Sequence, residues 1–232
     1  MAIKIQLINC AQDPTIQTPE ESAVTMLKER FEKELSLYPD AKGEIYILTQ
    51  VTIFNQNQND IRNIDILVMG FLDGLIMKDV KTKNYGIVKE LSIKSFITNI
   101  ELKFHPSNKV KLDGADYIVT YGNNVEKNAT LQCEKAKYSL INHLADQLKL
   151  NPFVCDIIWF NSLTHADLYK MRGSSYDNAL HQGFSFKEYI NAILLQANVT
   201  KDDSQQYFLD SFNNGKKEIE KILSCLQQKG NS

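Results

Sequence analysis

Two acids and a lysine stand out in this chain because they interrupt runs that otherwise read as buried strands. Asp65 sits inside Ile64-Asp65-Ile66-Leu67-Val68-Met69, and Glu101 and Lys103 alternate with Ile100, Leu102 and Phe104. An ionised carboxylate in a sheet interior is costly unless it is paired, hydrogen-bonded or bound to a metal. The strand period of two puts Glu101 and Lys103 on one face. An Asp, then Glu-x-Lys on a later strand, is the set a metal-dependent phosphodiesterase needs. Hard oxygen ligands hold Mg²⁺ or Mn²⁺, which lowers the pKa of a bound water and offsets charge on the phosphate. The lysine can orient or deprotonate that water and stabilise the pentavalent phosphorus. The competing reading is structural: Asp65 caps a turn, and Glu101 and Lys103 form a half-exposed ion pair along an edge strand.

Other chemistries have less behind them. His105, His143, His165 and His181 lack metal-ligand spacing, and Cys10, Cys133, Cys155 and Cys225 form no C-x-x-C pair. No cysteine has an evident histidine partner in the sequence, so thiol catalysis is not expected. No glycine-rich phosphate loop occurs. Trp159 reads as core, and Tyr138 and His143 as surface groups.

The elements that must position these residues follow from period and caps. Ile3 to Ile8 is an opening strand. Thr18-Pro19-Glu20-Glu21 starts a helix, with Thr18 as N-cap, Pro19 in the first turn and Glu21 placed for a capping box. Val24, Leu27, Phe31 and Leu35 continue it, and Pro39-Asp40 ends it. Strands are expected at Ile45–Leu48 with Val51–Phe54, at Ile64–Met69, at Ser95–Phe104 and at Asp116–Tyr121. A polar loop, Asn55 to Arg62, divides the first two, and a Lys-rich hairpin or meander spans Lys78 to Lys94. An amphipathic helix runs from about Thr130 to Leu148, with Leu131, Ala136, Leu140, Leu144 and Leu148 facing inward. Phe153 to Phe160 reads as a strand buried on both faces. Ser185 and Glu188 cap a helix to about Asn198, and Thr200 and Asp203 cap another ending near Gln227. The order predicts an α/β sandwich: a central mixed β-sheet flanked by helices, with extra C-terminal helices.

Composition narrows the classes. The 232 residues carry 26 Lys and Arg against 28 Asp and Glu, a net charge of −2, so nucleic-acid affinity would have to come from a local patch. One exists: between Lys78 and Lys111 there are eight lysines and three acids, a local +5. Lys81, Lys83 and Lys89 are its candidates for following phosphates, although a solvated hairpin face that blunts a sheet edge has the same composition. No run of about 18 apolar residues suggests a membrane span. The start lacks a secretory pattern, and the cysteines suggest a reducing compartment, so a cytoplasmic location is expected.

The ordered set Thr18-Pro19-Glu20-Glu21-Ser22-Ala23, Asn63-Ile64-Asp65-Ile66-Leu67-Val68, Asn99-Ile100-Glu101-Leu102-Lys103 and Thr130-Leu131-Gln132 resembles the nuclease-related domain (NERD) family of the PD-(D/E)xK superfamily. Asp156-Ile157-Ile158-Trp159-Phe160 resembles that family's V-V-F strand. The resemblance spans roughly residues 18 to 165 and implies a restriction-endonuclease-like fold. It implies that Asp65, Glu101 and the Leu102 carbonyl hold Mg²⁺ or Mn²⁺, and that Lys103 is the catalytic lysine. Glu21 would be the accessory acid of the first helix, and Gln132 would approach the DNA backbone or the metal shell. The implied division is a nuclease domain over residues 1–200, with an insertion at about 71–94, and a helical extension over 201–232. The implied activity is metal-dependent hydrolysis of DNA phosphodiesters, in DNA processing or defence. The alternative is a non-catalytic nucleic-acid-binding or interaction module that keeps the fold, associated with a helicase or another DNA-processing protein. The 36 residues from Asp65 to Glu101 exceed the family's usual hairpin.

Overall fold

The structure is a computed structural model and describes residues 3–11, 18–55, 60–173, 178–197, 205–207 and 212–227. Strand β1 (Ile3–Asn9) leads to helix α1 (Pro19–Leu35) and then to two long strands, β2 (Lys42–Asn55) and β3 (Asp60–Thr82). Strand β4 (Gly86–Lys103) is followed by a small meander of β5 (Val110–Asp113), β6 (Asp116–Thr120) and β7 (Glu126–Asn128). Then come α2 (Ala129–Leu148), β8 (Val154–Phe160), α3 (His165–Arg172), β9 (Ala179–His181), α4 (Phe186–Leu194), β10 (Gln205–Tyr207) and α5 (Phe212–Gln227).

The large sheet has the order β1-β2-β3-β4-β8-β9, with β10 also paired to β4. It is mixed, because β2–β3 and β3–β4 are antiparallel while every other pair is parallel. All its strands except β3 therefore point the same way. One face is covered by α1 and α4, through Leu27, Phe31, Tyr189 and Ile193. The other is covered by α2 and α5, through Leu140, Leu144, Ile219 and Ile222. The small sheet and α3 close a third cluster around Ile158 and Phe160. Trp159 is fully buried, and β8 is buried along its whole length, as its nearly all-apolar run predicts.

The Lys-rich stretch is the expected hairpin, formed by the continuation of β3 and β4 into one long ribbon that turns at Lys83–Tyr85. Gly74, at φ 74, sits where the β3–β4 register shifts between Phe71 and Leu75, and the ribbon leaves the main sheet there. One face of the ribbon is core, with Leu75, Met77, Val80, Leu91 and Ile93 packed in the α4 cluster. The polar loop is shorter than expected, since β2 reaches Asn55 and β3 starts at Asp60; positions 56–59 lie outside the described residues. The helix expected from Thr200 to Gln227 is a short strand, β10, and then α5; Thr200 and Asp203 themselves, and the Asn198 limit set for the preceding helix, lie outside the described residues. Within the described part that preceding helix, α4, ends at Leu194. Helix α5 is docked in the core through Ile219, Ile222, Leu223 and Leu226. Leu131 points outward, 43% exposed, because it lies off the stripe set by Ala129, Cys133, Ala136 and Leu140. His143 is buried and Tyr138 alone is the surface group. No helix is long and apolar enough to cross a membrane among the described residues.

Candidate functional site

The alternation of faces breaks at one point in the sheet. In β2, Tyr46 and Leu48 face α2, and so do Val51 and Ile53, which an unbroken period of two would forbid. In β3 the same switch separates Ile64 from Leu67, both on the α2 side. The two breaks coincide: the β2–β3 ladder runs through Thr49–Ile66 and Val51–Ile64 but omits the Gln50–Asp65 position between them. Gln50 takes a left-handed conformation there, at φ 54. Asp65 therefore sits at a kink, with backbone freed from the regular ladder.

Its neighbour on the other side is Glu101. The β3–β4 register ends at Ile66–Ile100, so the next position would set Asp65 against Glu101. The Leu102 N–H instead donates to Asp65 Oδ2 at 2.8 Å. This fastens Asp65 across the strand end through one oxygen, at the edge of a cleft that the residue lines. Glu101 and Lys103 lie on the same face as Ile97, toward α2, as strand parity requires. Lys103 Nζ donates to Glu101 Oε1 at 2.5 Å, with the two side chains 7% and 13% exposed. The half-exposed edge pair is thus corrected: the ion pair exists, but β4 is a central strand and the pair is nearly buried.

A cleft of about 450 Å³ opens where Asp65 and Glu101 face the start of α2, and Asn128, Gln132 and Lys135 line its far side. Asn128 caps α2 by accepting the Leu131 N–H at 2.8 Å, which fixes the helix end beside the carboxylates. Gln132 Oε1 is buried without a hydrogen-bond partner. The cleft lies at the carboxyl ends of the parallel strands, where open α/β sheets place their ligands.

Electrostatics mark the same spot. Burial and the adjacent Glu101 charge push the Asp65 carboxyl up to about 7, with the Leu102 N–H and Lys103 pulling the other way and Glu20 adding a further push. Burial alone would pull Lys103 down, but Glu101 outweighs it by charge and hydrogen bond, with help from Tyr121 and Asp65, and the net direction is up. Lys103 is therefore a firmly held ammonium. His105 is lowered by burial and by Lys103, and its ring meets Tyr121 edge-on at 4.6 Å. His105 lies two residues after Lys103, just past the end of β4, and does not line the cleft.

The expected accessory acid is placed differently. Glu21 Oε1 accepts from Asn9 Nδ2 at 2.5 Å and Oε2 from the Thr18 N–H at 3.3 Å, so one oxygen ties α1 to the end of β1 and the other closes the capping box. Glu20 is the α1 acid whose charge reaches Asp65. For Leu102 the contact seen is made by its N–H. Lys81, Lys83 and Lys89 are not brought to the cleft. Lys89 is twelve residues before Glu101 on β4, roughly 40 Å away at about 3.3 Å per residue. There the Lys81 N–H bonds Asn191 Oδ1 at 2.9 Å and Lys89 pairs with Asp79 at 3.6 Å.

Among the described residues no group of three or more His, Cys, Asp or Glu forms a ready metal cluster. The donor set still suits a hard cation. Asp65 and Glu101 each have one oxygen outside the contacts above, and Gln132, whose amide oxygen is buried and unpartnered, lines the same cleft. The chain matches no protein-family model, no curated protein and no solved structure.

Proposed function

We propose that this cleft is the active site of a metal-dependent nuclease, and that the chain is a restriction-endonuclease-like, PD-(D/E)xK enzyme of the nuclease-related kind, acting on DNA phosphodiesters. The observation that carries the reading is the convergence of Asp65 and Glu101, from strands 36 residues apart, beside a buried lysine and an unpartnered amide oxygen. Asp65, whose carboxyl is pushed up to about 7 by burial and then by the Glu101 charge, forms with Glu101 a site whose charge asks for a cation.

Asp65, Glu101 and the Gln132 oxygen would hold Mg²⁺ or Mn²⁺. Bound there, the ion supplies Lewis acidity toward a phosphoryl oxygen and a lowered pKa for water. Lys103, anchored by Glu101, presents an ammonium whose remaining protons can bond a phosphate oxygen as charge grows in the transition state. Its raised pKa favours this donor role over that of a base. Lys127 and Lys135, on the rim, add cations for the flanking phosphates. The ribbon lysines would meet the same duplex about 12 base pairs away, given roughly 3.4 Å per step.

A nicking assay on supercoiled plasmid and on single strands, with Mg²⁺ or Mn²⁺, tests the reading. Wild type should cut. Lys103→Ala should lose cleavage but keep metal and DNA binding, because its contribution is to the transition state. Glu101→Ala should lose metal binding as well. A wild type that binds DNA and never cuts would favour the non-catalytic module, and variants that cut like wild type would overturn the assignment.

A further inference from the structure

The sequence gives no cysteine an evident histidine partner, yet the fold supplies one. Cys225 on α5 and His143 on α2 are 82 residues apart, and Cys225 Sγ lies 3.8 Å from His143 Nε2. His143 is 2% exposed, which fixes its ring, whereas Cys225 is only partly covered and lines a groove of about 580 Å³ between the two helices. A thiol within reach of an imidazole and open to a groove is the arrangement of an activated nucleophile. Lys217 and Lys221 line the same groove from α5, Lys221 one turn before the thiol. Neither lysine forms an ion pair among the described residues; Glu220, the one acid lining the groove, is engaged by Lys216 at 3.8 Å, so the lining carries two lysines against one paired carboxylate. Cys133 and Cys155 are buried, and burial pushes both thiols and that of Cys10 up.

We propose that Cys225 is a reactive thiol that exchanges with small disulfides bearing carboxylates, which Lys217 and Lys221 hold in the groove. The step balances without another reagent. The Cys225 proton passes to His143 Nε2, and the thiolate attacks one sulfur of the small disulfide. The S–S bond breaks as the Cys225–sulfur bond forms. The leaving thiolate takes the proton back from the imidazolium and departs as a thiol. The product is a mixed disulfide at the α2–α5 seam. This site is separate from the carboxylate cleft and does not depend on its function.

The test is intact-mass and peptide mapping of the folded full chain, incubated with oxidised glutathione as the anionic probe and cystamine as the cationic one. A single adduct should form, at Cys225, faster than on free cysteine and at least about tenfold faster than at Cys10. The anionic probe should react faster than the cationic one relative to the same probes on free cysteine. Lys217→Ser with Lys221→Ser should erase that preference, and His143→Gln should slow both probes by about tenfold or more. The two surface lysine replacements keep the test decisive if the buried His143 variant does not fold. First labelling at Cys10, a Cys225 rate no faster than free cysteine, or equal relative rates for the two probes would each overturn the proposal.

Discussion

Two lysine–carboxylate pairs flank α2, and both are 2.5 Å long and mostly buried. Lys137 and Asp156 form the closed one. Asp156 Oδ1 takes Lys137, Oδ2 takes Asn178 at 3.0 Å, and the Gln196 amide brackets the Asp156 backbone through N–H and carbonyl. Both Asp156 carboxylate oxygens and its backbone N–H and carbonyl are answered within the fold. Lys103 and Glu101 form the open one. A second carboxylate stands beside it, an amide oxygen opposite is orphaned, and a cleft leads in from solvent. Pair length and burial do not separate the two. Both pairs border cavities, about 820 Å³ at Lys137 and Asp156 and about 450 Å³ at Glu101; what separates them is that both Asp156 oxygens are bonded, whereas Asp65 and Glu101 each keep one oxygen outside such contacts.

The largest expected difference is in rate. Lys103→Ala should reduce metal-dependent nicking by about 10²–10⁴-fold, the range for losing a positioned transition-state group. Lys137→Ala should leave it within about twofold once variant and wild type are compared fully folded. Equal losses from both would erase the distinction.

Stability should move the opposite way. Asp65 has a carboxyl raised from its ordinary value of 3.8 to about 7, so the folded chain holds this proton more tightly than the unfolded chain. Its contribution to stability therefore falls as pH climbs from about 4 through about 7, and stays low above that. Asp65→Asn, which keeps an oxygen for the Leu102 N–H, should stabilise the protein at pH 8 by on the order of 2–4 kcal/mol, and by little at pH 4. Chemical denaturation at the two pH values reads this directly. In the closed pair, Lys137→Ala leaves Asp156 without its cation and should cost about 2–3 kcal/mol, below the roughly 3–5 kcal/mol of a fully buried pair because these side chains keep 18% and 12% exposure.

The contrast is only half legible in the sequence. Strand parity places Glu101 and Lys103 on one face, and Asp65 announces itself by breaking an apolar run. The capping signals at Thr18, Ser185 and their partner glutamates mark two helix starts closely. What the sequence hides depends on tertiary register. The Gln50 kink that frees Asp65 involves a residue with no glycine or proline signal. The Asp156 pair joins a helix to a strand 19 residues on, and Cys225 meets His143 across 82. The ribbon lysines look like neighbours of the site because they are near it in sequence. A strand carries its residues away in a straight line, so nearness along β4 becomes distance.

The smallest effect concerns that ribbon. Replacing Lys81, Lys83 and Lys89 with Ser should change stability by no more than about 0.5 kcal/mol, as exposed pairs do. It should flatten the salt dependence of binding only for duplexes longer than about 12 base pairs, by about 0.9 in log–log slope for each phosphate that no longer meets a lysine. Flattening on shorter duplexes would place the ribbon at the cleft after all.

The open pair as a cation site is tested most directly by Mn²⁺ titration followed by electron paramagnetic resonance, on wild type, Asp65→Asn, Glu101→Gln and Asp156→Asn. Wild type should bind one Mn²⁺ that Mg²⁺ displaces, more tightly as pH rises through about 7 and Asp65 loses its proton. Binding should vanish in Asp65→Asn and Glu101→Gln and persist in Asp156→Asn. No saturable binding by wild type, or binding that survives in both Asp65→Asn and Glu101→Gln, would contradict the account.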